Sequence, residues 1–215
     1  MRTVNRTVNA GETNEKMKLL SGLLRQAKRR ADERETARDL YIAAVAQARR
    51  PGFYTKCGVA DSLDGRFDLI VLHVFLTVRV LSTAGEAGKR LADYMFRIMM
   101  DDMDLNLREM GVSDLRVGKR VKSMARAFYG RAAAYEKAIE TDGAAEGEGE
   151  ELKAALERNV YGAEAPSPEQ IAGLLAYVQR AESALAELSD EALLTGRVSF
   201  PTAPGDESAG NEAKT

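Results

Sequence analysis

His73 and Cys57 are the only histidine and the only cysteine in this chain of 215 residues, and together they bound its chemistry. A single cysteine excludes an internal disulfide and any multi-cysteine metal site, and a single histidine excludes a His-rich ligand set. His73 has Ile70, not Glu, three residues before it, so a di-iron site of the Glu-x-x-His kind cannot be built. It lies inside the longest apolar run, Leu69–Leu81, where a hydrogen-bonded core histidine is the expectation over an acid–base or haem-ligand role. Cys57 lies in a connector with no base or stabilising pocket in evidence, so a structural thiol is expected there.

Asp102-Met-Asp104-Leu-Asn106 opens with the spacing of an EF-hand calcium loop. The template then needs glycine sixth and a bidentate Glu twelfth, and the chain has Leu107 and Ser113. Gly85…Gly88-Lys89 and Gly111…Gly118-Lys119 imitate phosphate loops. Neither lysine is followed by Ser or Thr, and no strand precedes either one. The sequence therefore points to no catalytic residue, no metal and no cofactor. What remains is a surface chemistry. Six of the eight methionines fall between Met95 and Met124, the kind of flexible side chain that fills cores or accepts varied apolar partners. Met100 falls off the apolar stripe of its segment and is the best candidate for an exposed contact.

Charge is distributed unevenly. Residues 1–140 hold 26 Lys and Arg against 18 Asp and Glu, and the remaining residues hold 5 against 15. The basic part suits an anionic partner such as nucleic acid, anionic lipid or an acidic protein. The N-terminus lacks an apolar segment of signal-peptide length. Leu69–Leu81 as a helix would reach about 20 Å, short of a bilayer core of roughly 30 Å, so no transmembrane segment is expected.

The elements that must position these residues read as helices throughout. No proline falls between Gly52 and Ala165, and that span is rich in Ala, Leu, Glu, Arg and Lys. Residues 1–13 read as a disordered N-terminus. Met17, Leu20, Leu24, Ala27 and Ala31 predict a first amphipathic helix from Asn14, and a second runs from Glu33 to Arg49, stopped by Pro51-Gly52. Leu69–Leu81 has strand-like β-branching but no partner run, so it predicts a buried helix extending to Ser82. A helix after Gly85 and Gly88 ends near Gly111, and Ser113 caps the next, whose stripe runs from Val117 to Tyr135. Thr141–Glu151 reads as a flexible acidic loop, Leu152–Val160 as a short helix, and Ser167-Pro168-Glu169 as a strong helix start. From Arg197 the chain reads as a disordered tail. The expectation is all-α: one domain over 14–196, about six to seven helices around a buried central helix, with flexible termini.

Three stretches carry a resemblance that composition does not supply. They are Leu40-Tyr41…Ala46-Gln47-Ala48-Arg49-Arg50-Pro51-Gly52-Phe53-Tyr54, then Gly65-Arg66-Phe67-Asp68…Leu72-His73, and Met103-Asp104…Leu107–Leu115…Val117-Gly118-Lys119…Phe128-Tyr129-Gly130-Arg131. Together, over about residues 33–140, they resemble the ubiquinol–cytochrome c chaperone family, assembly factors of the respiratory cytochrome bc1 complex. Ser113 stands where many members have glycine. The resemblance implies a non-enzymatic protein that binds newly made cytochrome b and promotes its entry into the complex, acting from the cytoplasm or at the inner face of the membrane.

With that role in view, Met100, Asp101, Asp102, Met103, Asp104 and Arg108 are the expected client contacts. Acids there would suit the basic cytoplasmic loops of a membrane protein. Lys119, Lys122, Arg126 and Arg131 form a basic helix face for an anionic membrane surface or the ribosome; DNA is not expected. Arg66, Asp68 and His73 are expected as internal polar anchors. The alternative is a nucleic-acid or ribosome-binding helical module that uses the same basic faces.

Overall fold

In the computed structural model, residues 10–145 and 149–206 are described, and among them no strand occurs. The centre is helix α3, Leu63–Thr83. Ser62 caps it, its hydroxyl accepting from the Gly65 amide at 3.1 Å, and Asp64 lies in the first turn where the helix dipole favours an acid. Every residue from Phe67 to Thr77 is buried. A helix apolar on all sides has to be sheathed by others, and α1, α4, α5 and α7 surround this one.

Helix α1, Ala10–Ala48, is one continuous element where the sequence predicted two with a break near Ala31. Asp32-Glu33 contains neither Gly nor Pro, so nothing interrupts the backbone bonds, and the Thr36 hydroxyl donates back to the Asp32 carbonyl at 3.0 Å. Its C-terminal half buries Ala37, Leu40, Tyr41, Ala44 and Ala48 against α3 and α4. The short α2, Gly52–Thr55, follows directly. Gly52 is required by a close approach: a Cβ there would stand 1.7 Å from the Pro204 carbonyl oxygen.

Helix α4, Gly85–Glu109, returns antiparallel along α3. At Gly88 an added Cβ would fall 2.0 Å from the Leu81 carbonyl, so glycine permits the tight α3–α4 turn. Leu91, Met95, Met99, Met103 and Leu107 recur at four-residue spacing as its buried stripe. Much of the methionine cluster is therefore core filling. Gly111, at φ +78°, ends the hairpin into α5, Asp114–Ala145.

The expected loop at 141–151 is mostly helix. Helix α5 runs to Ala145, and its Asp142 carboxylate accepts from the amides of Glu151 and Leu152, capping α6, Glu150–Leu156. Residues 146–148 lie outside the described part, as do 1–9 and 207–215, on which the remaining disorder expectations fall. Of the N-terminus expected to be disordered, residues 10–13 instead belong to α1, since no Gly-Pro break or cap separates them from Asn14 onward. A π-helical turn, Glu157–Tyr161, extends α6 against α3. Helix α7, Pro168–Ala186, begins at a capping box formed by Ser167 and Gln170, and α8 spans Asp190–Leu194.

The tail expected from Arg197 is, through Asp206, a packed strap. Ala203 is 1% exposed, Phe200 stacks edge-on against the His73 ring at 5.3 Å, and Asp206 pairs with Arg50 at 2.6 Å. Too few apolar residues stand there to make a periodic pattern, yet each has a seat in the core.

Candidate functional site

The start of α3 divides two open grooves. On one side, a groove of about 590 Å³ lies between α1–α2 and the end of α4, lined by Arg49, Tyr54, Ile70, Met103, Asn106 and Met110. On the other, a groove of about 730 Å³ opens toward α5, lined by Asp64, Asp68, Leu107, Arg120, Met124 and Arg131. Leu63 and Phe67 belong to both and form the ridge between them. All three stretches that carry the family resemblance meet here: the end of α1, the start of α3, and the α4–α5 corner. The same end presents apolar side chains to solvent, Leu63 at 44%, Met110 at 58% and Leu115 at 95% exposure. A third groove of about 750 Å³, at the far end of α3, lies beside Phe128, Tyr129 and Leu185. Arg79 borders it and binds Glu136 and Glu182.

The α5-side groove has a polar floor. Arg131 reaches Asp68 at 2.8 Å and lies 5.9 Å from the Phe67 ring centre. Burial pushes the Asp68 carboxyl up to about 6, opposed by the Arg131 charge and aided by Asp64. The site is incompletely satisfied: Arg131 Nε, the Tyr135 hydroxyl and Asn159 Nδ2 are buried without hydrogen-bond partners, and Asp68 Oδ1 has only its ion pair. Asp68 and Arg131 both act electrostatically on Tyr135, and Asn159, in the π-helical turn, stands close enough to bias its hydroxyl. Those two residues still complete no hydrogen bond with each other.

Further along α3, His73 is buried and fully used. Its Nδ1 donates to the Leu69 carbonyl at 2.8 Å, so Nε2 carries no proton and accepts from the Tyr177 hydroxyl at 2.8 Å. The Gln47 amide in turn donates to that hydroxyl at 3.0 Å and to the Pro201 carbonyl at 2.9 Å. Phe53, Tyr177 and Phe200 wall the imidazole. Burial lowers its pKa to about 4, so it is neutral near pH 7. Cys57 is buried, its thiol pushed up to about 11, and its carbonyl accepts from Tyr161 at 2.8 Å. An undissociated, enclosed thiol is a poor nucleophile.

The expected client residues do not form one surface. Asp101 is exposed, but Asp102 accepts from the Tyr41 hydroxyl at 2.7 Å and ties α4 to α1. Asp104 and Asp114 both hold Arg108, which pins the α4–α5 corner. Met103 is buried with its edge in a groove, and Met100 is half-buried against the core. Lys119, Lys122 and Arg126 are exposed on α5, whereas Arg131 turns inward to Asp68. Of the expected internal anchors, Asp68 and His73 are buried but Arg66 is not: it points outward to Asp61 at 2.6 Å, and the side chains of that pair are about 60% exposed. Leu63, Tyr54, Phe67, Met110 and Leu115 were missing from the expected set. The available signal was apolar residues beside helix caps, at Ser62-Leu63 and Met110-Gly111 through Leu115, where no helix stripe requires them.

The described residues form an all-α body with open grooves on either side of an exposed Leu63 and a buried Phe67. Residues 55–200 match the family model described as ubiquinol-cytochrome C chaperone, and the chain belongs to that family. The solved structure of the Cbp3 homolog from Brucella abortus superposes with a TM-score of 0.72 at 34% identity, covering 84% of this chain and 97% of that one. The ubiquinol-cytochrome-c reductase complex assembly factor 1 of Xenopus laevis is 28% identical over 160 residues, covering 74% of this chain and 77% of the frog protein. The mouse protein of the same name is 26% identical, and the match spans 52% of its length. No helix among the described residues is long and apolar enough to cross a membrane.

Proposed function

We propose that this chain is a non-enzymatic chaperone that binds newly made cytochrome b and promotes assembly of the cytochrome bc1 complex from the cytoplasmic side. The observation that carries the reading is the meeting of the three resembling stretches at the two grooves on either side of Leu63 and Phe67. One groove lined by Ile70, Met103 and Met110, beside another floored by the Asp68–Arg131 pair, suits an amphipathic segment of a membrane protein before it is buried in its complex. Asp64 and Asp101 supply acids toward basic client loops, with Asp61, Asp102 and Asp104 held by partners within the chain. The curated relatives bear names that state an assembly role, which supports the same assignment.

The test is capture of cytochrome b by the tagged chain, set beside membrane haem b spectra and bc1 activity in cells lacking the gene. Leu63→Glu with Leu115→Glu, both at exposed positions, should abolish capture while leaving the fold intact. Undiminished capture, or normal bc1 levels without the gene, sinks the reading. A second reading, binding of ribosomal RNA, rests on the exposed Lys119, Lys122 and Arg126 of α5. It requires RNA to co-purify with the chain and affinity to fall steeply with salt.

A further inference from the structure

The N-terminal part of α1 stands out by its exposure. Every described residue from Leu20 to Asp32 is exposed, and the first fully buried residue of the helix is Ala37. This arm lies outside the residues that match the family model. It nevertheless carries large apolar side chains: Met17 is 62%, Leu20 59%, Leu23 61% and Leu24 70% exposed. At 3.6 residues per turn, Met17, Leu20, Leu23, Leu24, Ala27 and Ala31 share an arc of about 120°. Arg30 flanks one edge of the arc and Lys28 the other, with Arg25 and Arg29 beyond. Between residues 17 and 31 there are five Lys and Arg and no Asp or Glu. Arg29 leans on Glu33, whose carboxylate Arg90 already holds at 2.8 Å.

We infer that residues 17–31 form an interfacial helix that docks the protein on an anionic phospholipid surface. The stripe would sink among the acyl chains while Lys28 and Arg30 snorkel to phosphates on its two sides. Charge selects this occupant. A second copy of the arm would bring five positive charges against five, and RNA would leave the exposed leucines in water. Anionic lipid satisfies both faces at once. The inference goes beyond the client-binding reading, because it concerns a different element and holds whether or not the grooves take cytochrome b.

The experiment is vesicle flotation of the full chain, with phosphatidylcholine alone and with phosphatidylglycerol as about a third of the lipid. Binding should need the anionic lipid and weaken several-fold between about 0.1 and 0.5 M salt. Leu20→Glu with Leu24→Glu should lower the bound fraction about tenfold, and so should Arg25→Glu with Lys28→Glu. Thermal unfolding of both variants should match that of the parent, since all four positions are exposed. No flotation of the parent overturns the inference, as does flotation unchanged in the leucine variant. A lipid-independent dimer that the leucine variant dissolves would assign the arm to self-association and overturn it as well. Cytochrome b capture in detergent should survive both variants, which separates failure here from failure of the client site.

Discussion

Asp68 and His73 are both buried on one helix, yet their surroundings differ in kind. Around His73 every polar atom is answered, in a chain from Leu69 through the imidazole to Tyr177, Gln47 and Pro201 that joins α3, α7, α1 and the strap. Around Asp68 the accounts do not close: one ion pair stands beside an unanswered hydroxyl, guanidinium N–H and amide. The first arrangement fixes a single packing. The second tolerates rearrangement, and it opens onto a groove. A buried polar cluster left unsatisfied next to an opening is where a partner's polar group gains most by entering. The difference teaches that α3 is a rigid axle along most of its length and an adaptable surface at its N-terminal end.

The sharpest way to break this contrast is truncation. His73→Ala should cost about 3 kcal/mol or more, because it opens a cavity among Phe53, Tyr177 and Phe200 and strands the Tyr177 hydroxyl. Asp68→Ala should cost well under half of that, since Arg131 can turn toward the groove. Chemical denaturation of the two variants measures both, and equal losses would erase the distinction.

The pH dependence comes next. His73 titrates near 4 in the fold against an ordinary 6.5, so folding favours its neutral form. The stability tied to it is complete above the ordinary value and is lost as pH falls toward 4. Asp68 titrates near 6 against an ordinary 3.8, so folding favours its protonated form, and stability declines as pH rises from about 4 to 6. The two slopes oppose each other across the same window and leave the parent profile nearly flat. Asp68→Asn should remove one of them, so that stability climbs by roughly 3 kcal/mol between pH 4 and 6.5. Denaturant midpoints across that range check this, and a variant profile parallel to the parent's refutes it.

Two buried tyrosines give the finest comparison. Tyr177→Phe removes a hydroxyl with partners on both sides and should cost about 1–2 kcal/mol. Tyr135→Phe removes a hydroxyl with none and should change stability by about 0.5 kcal/mol or less, in either direction. Thermal unfolding of the pair decides it. A Tyr135 variant that falls as far as the Tyr177 variant would show that the Asp68 site is as closed as its neighbour.

Much of the architecture was legible because helical periodicity is local. The apolar run of α3, the α4 stripe and the Ser167-Pro168 start all state their structure within a few residues. The misreadings share a different cause. The α1 arm was cut in two because its stripe changes partner, from nothing to the core, without a change in backbone. The strap looked like a tail because Phe200 and Ala203 find their seats on helices far away in sequence. Pairings over such separations, Arg131 with Asp68 or Tyr41 with Asp102, leave no mark in local pattern. The resembling stretches converge on one end of the molecule. Which side chains face outward there was decided by caps and corners that spacing alone does not specify.

The strap also orders events in time. His73 acquires its lid only when Phe200 arrives, and Gln47 completes its second bond only with Pro201. During synthesis, α1, α3 and α4 emerge and can pack while this lid is still unmade. The core therefore stays unsealed until Phe200 and Pro201 have been translated, and a ribosome stalled short of residue 200 would hold a chaperone that is shaped but not yet latched.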